Sequence, residues 1–346
     1  MSPLRVVLTG ATGFIGAAAL RELGRRPDVS VRAVGRRPPG VGGAGGAEWV
    51  RADLARPESV AGVCEGADVL VHLAGVVDPD EALCEAVNVR GTAALMAEAV
   101  RAGTGRVVHL STAAVYGPGP HRGAAVGELE PAPVSATSRT RLAGEAYALA
   151  AGAVVLRPGL VLGAGDRWVV PALAELVDRV PGRWDGGRGL HSAVDVGDLA
   201  RLVAALAVLP GGGAAAGRVF HAAHPEPVPT GGLLAELAEL GVLPRVRTDL
   251  AWEECLRLLR AVPGGVSERQ FSLLAQDHWY RSDEVWSLAG CPPGPGLLAR
   301  LAAAAPWYRE AVHGAVARTP ARPEAPAGAG GPGPHRGHPS AAAART

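Results

Sequence analysis

The chain has 346 residues, 34 basic against 33 acidic side chains, a formal net charge of +1 and 48% hydrophobic residues, which suits one large or two small globular domains. Near-neutral charge excludes a general attraction for nucleic acid or an anionic membrane, and no local basic patch is evident. No apolar run reaches the ~20 residues that span a bilayer, and the start, MSPLRVVLTGATG, enters strand-like sequence directly, so a cytoplasmic location is expected.

In chain order, short β-branched runs at about 4–9, 29–34, 48–51, 68–73, 106–111 and 153–157 alternate with amphipathic stretches at about 14–25, 57–64, 80–102 and 138–151. That alternation predicts an α/β chain with a doubly wound parallel sheet. Residues 38–47, PPGVGGAGGA, read as a flexible connection between the second and third strands. After Gly163 the pattern turns to helical pieces broken by Pro and Gly, and six of the seven tryptophans fall there. A cofactor-binding domain is therefore expected over 1–162, joined again by a return segment near 190–222. A smaller, mainly helical substrate-binding part follows over 163–318, and 319–346 reads as a disordered tail with almost nothing to bury.

Cys64, Cys84, Cys255 and Cys291 lie far apart with no Cys/His cluster, which predicts neither a metal site nor a disulfide framework. Every basic side chain is arginine, so any mechanism that needs a lysine is excluded. Asn88 is the sole asparagine.

The first strand runs into ATGFIG, which places Gly10, Thr12, Gly13, Phe14, Ile15 and Gly16 at a strand-to-helix turn. Glycines at that spacing let the chain turn sharply and let a pyrophosphate approach the helix N-terminus, the arrangement of a Rossmann dinucleotide site. Where an NAD site wants an acidic residue after the second strand, this chain has Arg36 and Arg37. Guanidinium groups match a 2′-phosphate, so NADPH/NADP+ is the expected cofactor. Asp53 and Leu54 follow the third strand, where a carboxylate and an apolar side chain can bracket an adenine.

These pieces resemble the extended short-chain dehydrogenase/reductases, the family that includes sugar-nucleotide epimerases and dehydratases. TGATGFIG resembles its glycine motif, RADL its adenine contact, and VLVHLAG, with Leu73, Ala74 and Gly75, the fourth-strand segment beside the cofactor. NVRGT with Asn88 resembles its helix motif, LSTAAVYG its catalytic fifth strand, and LRPGLVLG, with Pro158 and Gly159, the segment that meets the nicotinamide. HSAVDVGDLA with Asp198 resembles a helix start in the family's C-terminal half. The resemblance spans roughly 4–210 and implies the Rossmann fold and a nicotinamide cofactor.

The family's chemistry rests on a Tyr-x-x-x-Lys pair and a nearby Ser or Thr. STAAVYG puts Thr112 at the hydroxyl position, next to Ser111, and TSRTRLAGE puts Thr137 where tyrosine belongs and Arg141 where lysine belongs. An arginine can still bond ribose hydroxyls, but an aliphatic hydroxyl is a far poorer proton source than a phenol of pKa ~10. The only tyrosines, Tyr116, Tyr147, Tyr280 and Tyr308, offer no register shift that restores the pair. Epimerisation and dehydration need a base, whereas ketone reduction can take its proton from water or from the substrate. A ketone beside a phenol, common in aromatic polyketides, carries its own acid, so a small aromatic ketone is the expected partner.

Val76, Tyr116, Trp168, Trp184 and His191 are the candidate substrate contacts, His191 being the foremost alternative proton donor; His72, His109 and His221 read as structural. Two rival readings remain at this point. One is an inactive NADP(H)-binding sensor or scaffold. The other is a sugar-nucleotide enzyme in which Arg167, Arg183 and Arg188 face a diphosphate. Nothing in the sequence sets the oligomeric state.

Overall fold

A computed structural model describes residues 2–38, 46–210 and 215–316, the last four of them by backbone alone. Most of the glycine-rich connection at 38–47 and the tail at 319–346 lie outside the described residues.

Seven strands build the main sheet: β1 (Leu4–Thr9), β2 (Val29–Gly35), β3 (Glu48–Arg51), β4 (Val69–His72), β5 (Arg106–Leu110), β6 (Val154–Arg157) and β7 (Val219–His221). All pair in parallel, in the order β3-β2-β1-β4-β5-β6-β7. Strand order therefore reverses between β1 and β4, and the crevice at such a switch point is where doubly wound sheets bind ligands.

The helices are α1 (Phe14–Gly24), α2 (residues 81–101), α3 (Ala136–Ala150), α4 (Val169–Arg179), α5 (Val196–Val208), α6 (Thr230–Glu239), α7 (Trp252–Ala261), α8 (Glu268–Ala275), α9 (Asp283–Ala289) and α10 (Leu297–Val316). Side chains alternate across a strand, so Val6, Leu8, Val71, Val108 and Leu156 pack with α1 and α5. Val7, Leu70, Val107 and Val155 pack on the other face with Leu95 and Met96 of α2 and Ala148 of α3. A separate apolar cluster joins Leu173 and Leu176 of α4, Leu237 of α6, Leu259 of α7, Phe271 of α8 and Tyr308 of α10.

Two elements differ from the sequence reading. The helix expected at 57–64 is one 3₁₀ turn, Pro57–Val60, followed by turns, because Gly62 and Gly66 take positive φ (+77° and +65°) and break any helix. The helix expected at 80–102 forms, but Glu85–Gly91 in its middle is wound as a π-helix. Short strands at His121–Ala124, Leu190–His191, Val228–Pro229 and His278–Tyr280 form a second, four-stranded sheet that ties the two parts of the chain together. Strands of two to four residues are too brief to show a period in sequence.

Candidate active site

At the switch point the turn after β1 is a backbone cradle. Gly10 has φ +77°, and a Cβ there would sit 2.7 Å from the amide nitrogen of Ala74; one on Gly16 would sit 1.9 Å from the carbonyl oxygen of Gly10. Gly13 caps α1 without a side-chain partner, so the first amides of that helix are left for a ligand. Thr12 and Gly13 line the groove, Phe14 packs against the loop at Gly165, and Ile15 leans on the core of the sheet. The glycines let these backbone segments close on one another so that the uncapped amides at the start of α1 face the groove, an arrangement that fits a dinucleotide's pyrophosphate.

The groove continues past Arg36, Asp53 and Leu54 at one end and Leu73, Ala74, Gly75 and Val76 at the other. Asp53 is fixed by its neighbours: its amide donates to Ser59 Oγ at 2.8 Å, and its carboxylate accepts from the Ala55 amide at 3.1 Å. Arg36 and Arg37 face the same cavity as Arg51 and Arg56, and none of the four has a carboxylate partner among the described residues. Sequence reasoning missed Arg51 and Arg56, although both stand in RADLARPE beside the adenine motif.

Asn88 sits in the π-helical turn and acts as a clamp. Its Oδ1 accepts from the Val76 amide (2.9 Å), and its Nδ2 donates to the Val76 carbonyl (3.0 Å) and to Thr140 Oγ1 on α3 (3.1 Å). Two glycines make this packing possible: a Cβ on Gly91 would meet Leu54 O at 2.5 Å, and one on Gly144 would meet Asn88 O at 2.4 Å. On the far side of the groove, the Ala113 amide donates to Pro158 O at 2.8 Å, and Gly159 lets the backbone of Ser192 approach.

Thr112 caps the turn Ala113–Tyr116, its hydroxyl accepting from the Ala114 amide at 3.1 Å. Ser111, one residue earlier, is buried and donates to Glu145, which also holds Arg157 in a buried bidentate ion pair (3.0 and 2.6 Å). Thr137 turns its hydroxyl to the loop after β4: it accepts from the Asp78 amide at 3.3 Å and donates to the Asp78 carbonyl at 3.4 Å, with Cys84 Sγ 3.8 Å away. Arg141, one helical turn on, donates to Leu110 O at 2.9 Å. Burial lowers its pKa, against the opposing pull of Glu145.

The other candidates separate clearly. Tyr116 is buried, and its hydroxyl accepts from Arg157 Nη1 (2.8 Å) and meets His221 Nε2 (2.7 Å). Because His221 Nδ1 faces the Arg281 carbonyl at 3.1 Å, the proton belongs on Nδ1, and Tyr116 must donate to Nε2. Burial raises the Tyr116 pKa and holds His221 at about 4. Tyr116 therefore corrects to a core residue whose proton is committed to His221.

His191 also corrects to a core residue. It is buried, is held at about 4 by burial, and bonds Thr230 Oγ1 at 2.7 Å. Trp184 is 0% exposed, donates its indole N–H to Val180 O and meets Phe271 edge-on, so it packs in the second apolar cluster. Trp168 is 64% exposed at the start of α4. His72 bonds Thr9 and Thr92, whereas among the described residues both ring nitrogens of His109, and Nδ1 of His191, lack a hydrogen-bond partner, contrary to the expectation that each histidine is satisfied. Arg183 and Arg188 pair with Asp249 and Asp185, which leaves Arg167 alone of the three arginines expected to face a diphosphate.

Among the described residues no group of side chains could hold a metal ion, and no helix is long and apolar enough to cross a membrane. The model of the NAD dependent epimerase/dehydratase family matches residues 6–219. The chain is 30% identical over 334 residues to 2-alkyl-3-oxoalkanoate reductase of Stenotrophomonas maltophilia, a match that covers 88% of this chain and 91% of that one. It is 32% identical over 209 residues to 4-hydroxy-2-methyl-3-oxo-4-farnesyl-3,4-dihydroquinoline-1-oxide ketoreductase of Stigmatella aurantiaca, covering 57% and 62% of the two chains. Among solved structures, the dTDP-glucose 4,6-dehydratase DesIV of Streptomyces venezuelae, with NAD and TYD bound, superposes with a TM-score of 0.67 at 22% identity, covering 89% of this chain and 97% of that one. With its dinucleotide cradle at the switch point and these matches over most of its length, the chain belongs to the NAD dependent epimerase/dehydratase family.

Proposed function

We propose that the protein is an NADPH-dependent ketoreductase whose substrate is a ketone carrying its own acidic hydroxyl, as in aromatic polyketides of the angucyclinone type, and that it serves antibiotic biosynthesis. Reduced nicotinamide, when bound, supplies the hydride. The amides around Gly10, Gly13 and Gly16 would hold the pyrophosphate, Arg36 and Arg37 the 2′-phosphate, and Asp53 and Leu54 the adenosine. Pro158 and Gly159 would border the nicotinamide. Thr112 offers its hydroxyl to the ketone oxygen, and Val76 and the exposed Trp168 are the groups left to contact the rest of the substrate.

Thr137 is the observation that carries this reading. Its hydroxyl is committed to both the amide and the carbonyl of Asp78, and Tyr116 is committed to His221, so neither supplies the family's acid. The proton then comes from the substrate or from water. Two relatives support ketone reduction itself, since their names describe reductases of 3-oxo compounds.

The test is NADPH oxidation with ketones that carry or lack a neighbouring phenol, with 3-oxo acids, and with nucleotide sugars as controls, in the wild type and Thr137→Tyr. Turnover is expected with the acid-bearing ketones. The new tyrosine should not raise it, because the Asp78 loop closes on that position, and overpacking there should cost about 1–3 kcal/mol in denaturant unfolding. Faster reduction by Thr137→Tyr, or equal rates for ketones without the phenol, defeats the substrate-assisted mechanism. NADPH binding with silence on every substrate moves the protein to the sensor class.

A further inference from the structure

Two donors remain at the C-terminal end of β5 once Thr137 and Tyr116 are committed elsewhere: the hydroxyl of Thr112 and the guanidinium of Arg141. Nη1 of Arg141 is anchored on Leu110 O at 2.9 Å, two residues before Thr112. The guanidinium lies over Gly75, a groove residue, where a Cβ would come within 2.7 Å of both Cζ and Nη1 and 3.0 Å of Nη2. Glycine at 75 is what lets it lie there. Among the described residues no carboxylate pairs with Arg141, and Glu145, whose charge it feels, is taken by Arg157 and Ser111. A guanidinium keeps its charge through burial of this kind, and a desolvated cation with unspent N–H groups is suited to meet a developing oxyanion.

Resting on the ketoreductase reading above, we propose that Arg141 is a catalytic residue that, with Thr112, stabilises the alkoxide formed from the substrate ketone, taking over the electrostatic part of the missing tyrosine's work. The carbonyl carbon gains the hydride pair, with reduced nicotinamide as the electron donor, and the C=O π pair moves onto oxygen. The alkoxide is held by the Thr112 hydroxyl and the guanidinium. The substrate's acidic hydroxyl, or water, then protonates it and is left as its conjugate base. This role differs from holding the cofactor ribose, which would act on cofactor affinity alone.

The distinguishing experiment titrates 4-nitrophenol, read by phenolate absorbance, in the NADP+ complex of the wild type, Arg141→Gln and Arg141→Lys, alongside NADPH dissociation constants and kcat. Wild type should bind the phenolate and lower its apparent pKa by about one unit or more, a tenfold preference for the anion. Arg141→Gln should abolish that shift and lower kcat about 100-fold, the usual effect of losing an oxyanion donor, with NADPH affinity changed less than about threefold. Arg141→Lys, which keeps the charge, should recover part of both and serves if the glutamine variant does not fold. An unchanged shift in Arg141→Gln, no phenolate binding by the wild type, or a defect confined to NADPH affinity overturns the proposal. A wild-type shift without turnover on any ketone would instead sink the ketoreductase reading and leave the anion site standing.

Discussion

At the scale of single residues, the glycine turn opens on the groove at the switch point, while the hydroxyls of Thr137 and Tyr116 are bound within the protein. Arg36 and Arg37 were legible as residues beside the groove because they directly follow a strand that ends at the switch point. Arg51 and Arg56 were not, because their approach to the same cavity depends on how the segment after β3 turns under Ser59. If this cluster grips a 2′-phosphate, the double variant Arg36→Ala, Arg37→Ala should weaken NADPH binding about 10- to 100-fold, as expected for losing charge-assisted bonds of ~1.5–3 kcal/mol. NADH binding should stay the same. Fluorescence titration of both cofactors checks this, and an equal loss for the two would remove the 2′-phosphate assignment.

Among the elements, α2 is the one in which winding and function meet. Its π-helical turn carries Asn88, and the clamp on Val76 sets the course of the loop that reaches Asp78 and Thr137. Asn88→Ala leaves the Val76 amide and carbonyl unpaired, which should cost about 1–3 kcal/mol of stability. The Val76 amide should then exchange faster with deuterium than in the wild type while amides of β1 and β4 keep their protection. Uniform loss of protection across the sheet would mean that Asn88 supports the whole domain and not this loop. The motif NVRGT pointed to a special asparagine, yet the π-turn itself was not legible, since Glu85–Gly91 is too short a stretch for its period to be told from that of the α-helix around it.

In the whole molecule, buried polar groups hold distant segments together as well as apolar contacts. Glu145 and Arg157 join α3 to β6, Asp198 on α5 binds Arg300 on α10, and His121 and His278 pair across the second sheet. Burial holds His191 and His221 at about 4 and His72 at about 3. In the unfolded chain each would protonate near 6.5, so between those values the unfolded state binds more protons and stability drains as the pH falls. The melting temperature should therefore be highest above about pH 6.5 and decline steadily toward pH 4, with a shallower slope in His191→Gln. A flat profile across that window would show that these histidines titrate alike in both states.

By itself the sequence determined the parallel sheet and the glycine turn after β1, because each is written in local spacing: β-branched runs and glycines three apart. Only the tertiary structure decided what the remaining polar groups do. Tyr116, His191 and Trp184 read as pocket residues in sequence and fold into the core, since burial and hydrogen-bond partners come from segments up to 105 residues away. Thr137 and Arg141 stand four residues apart on α3, and one is bound to a loop while the other lies over Gly75. Sequence spacing fixes which side of a helix a residue occupies; the neighbours that claim its hydrogen bonds arrive only with the fold.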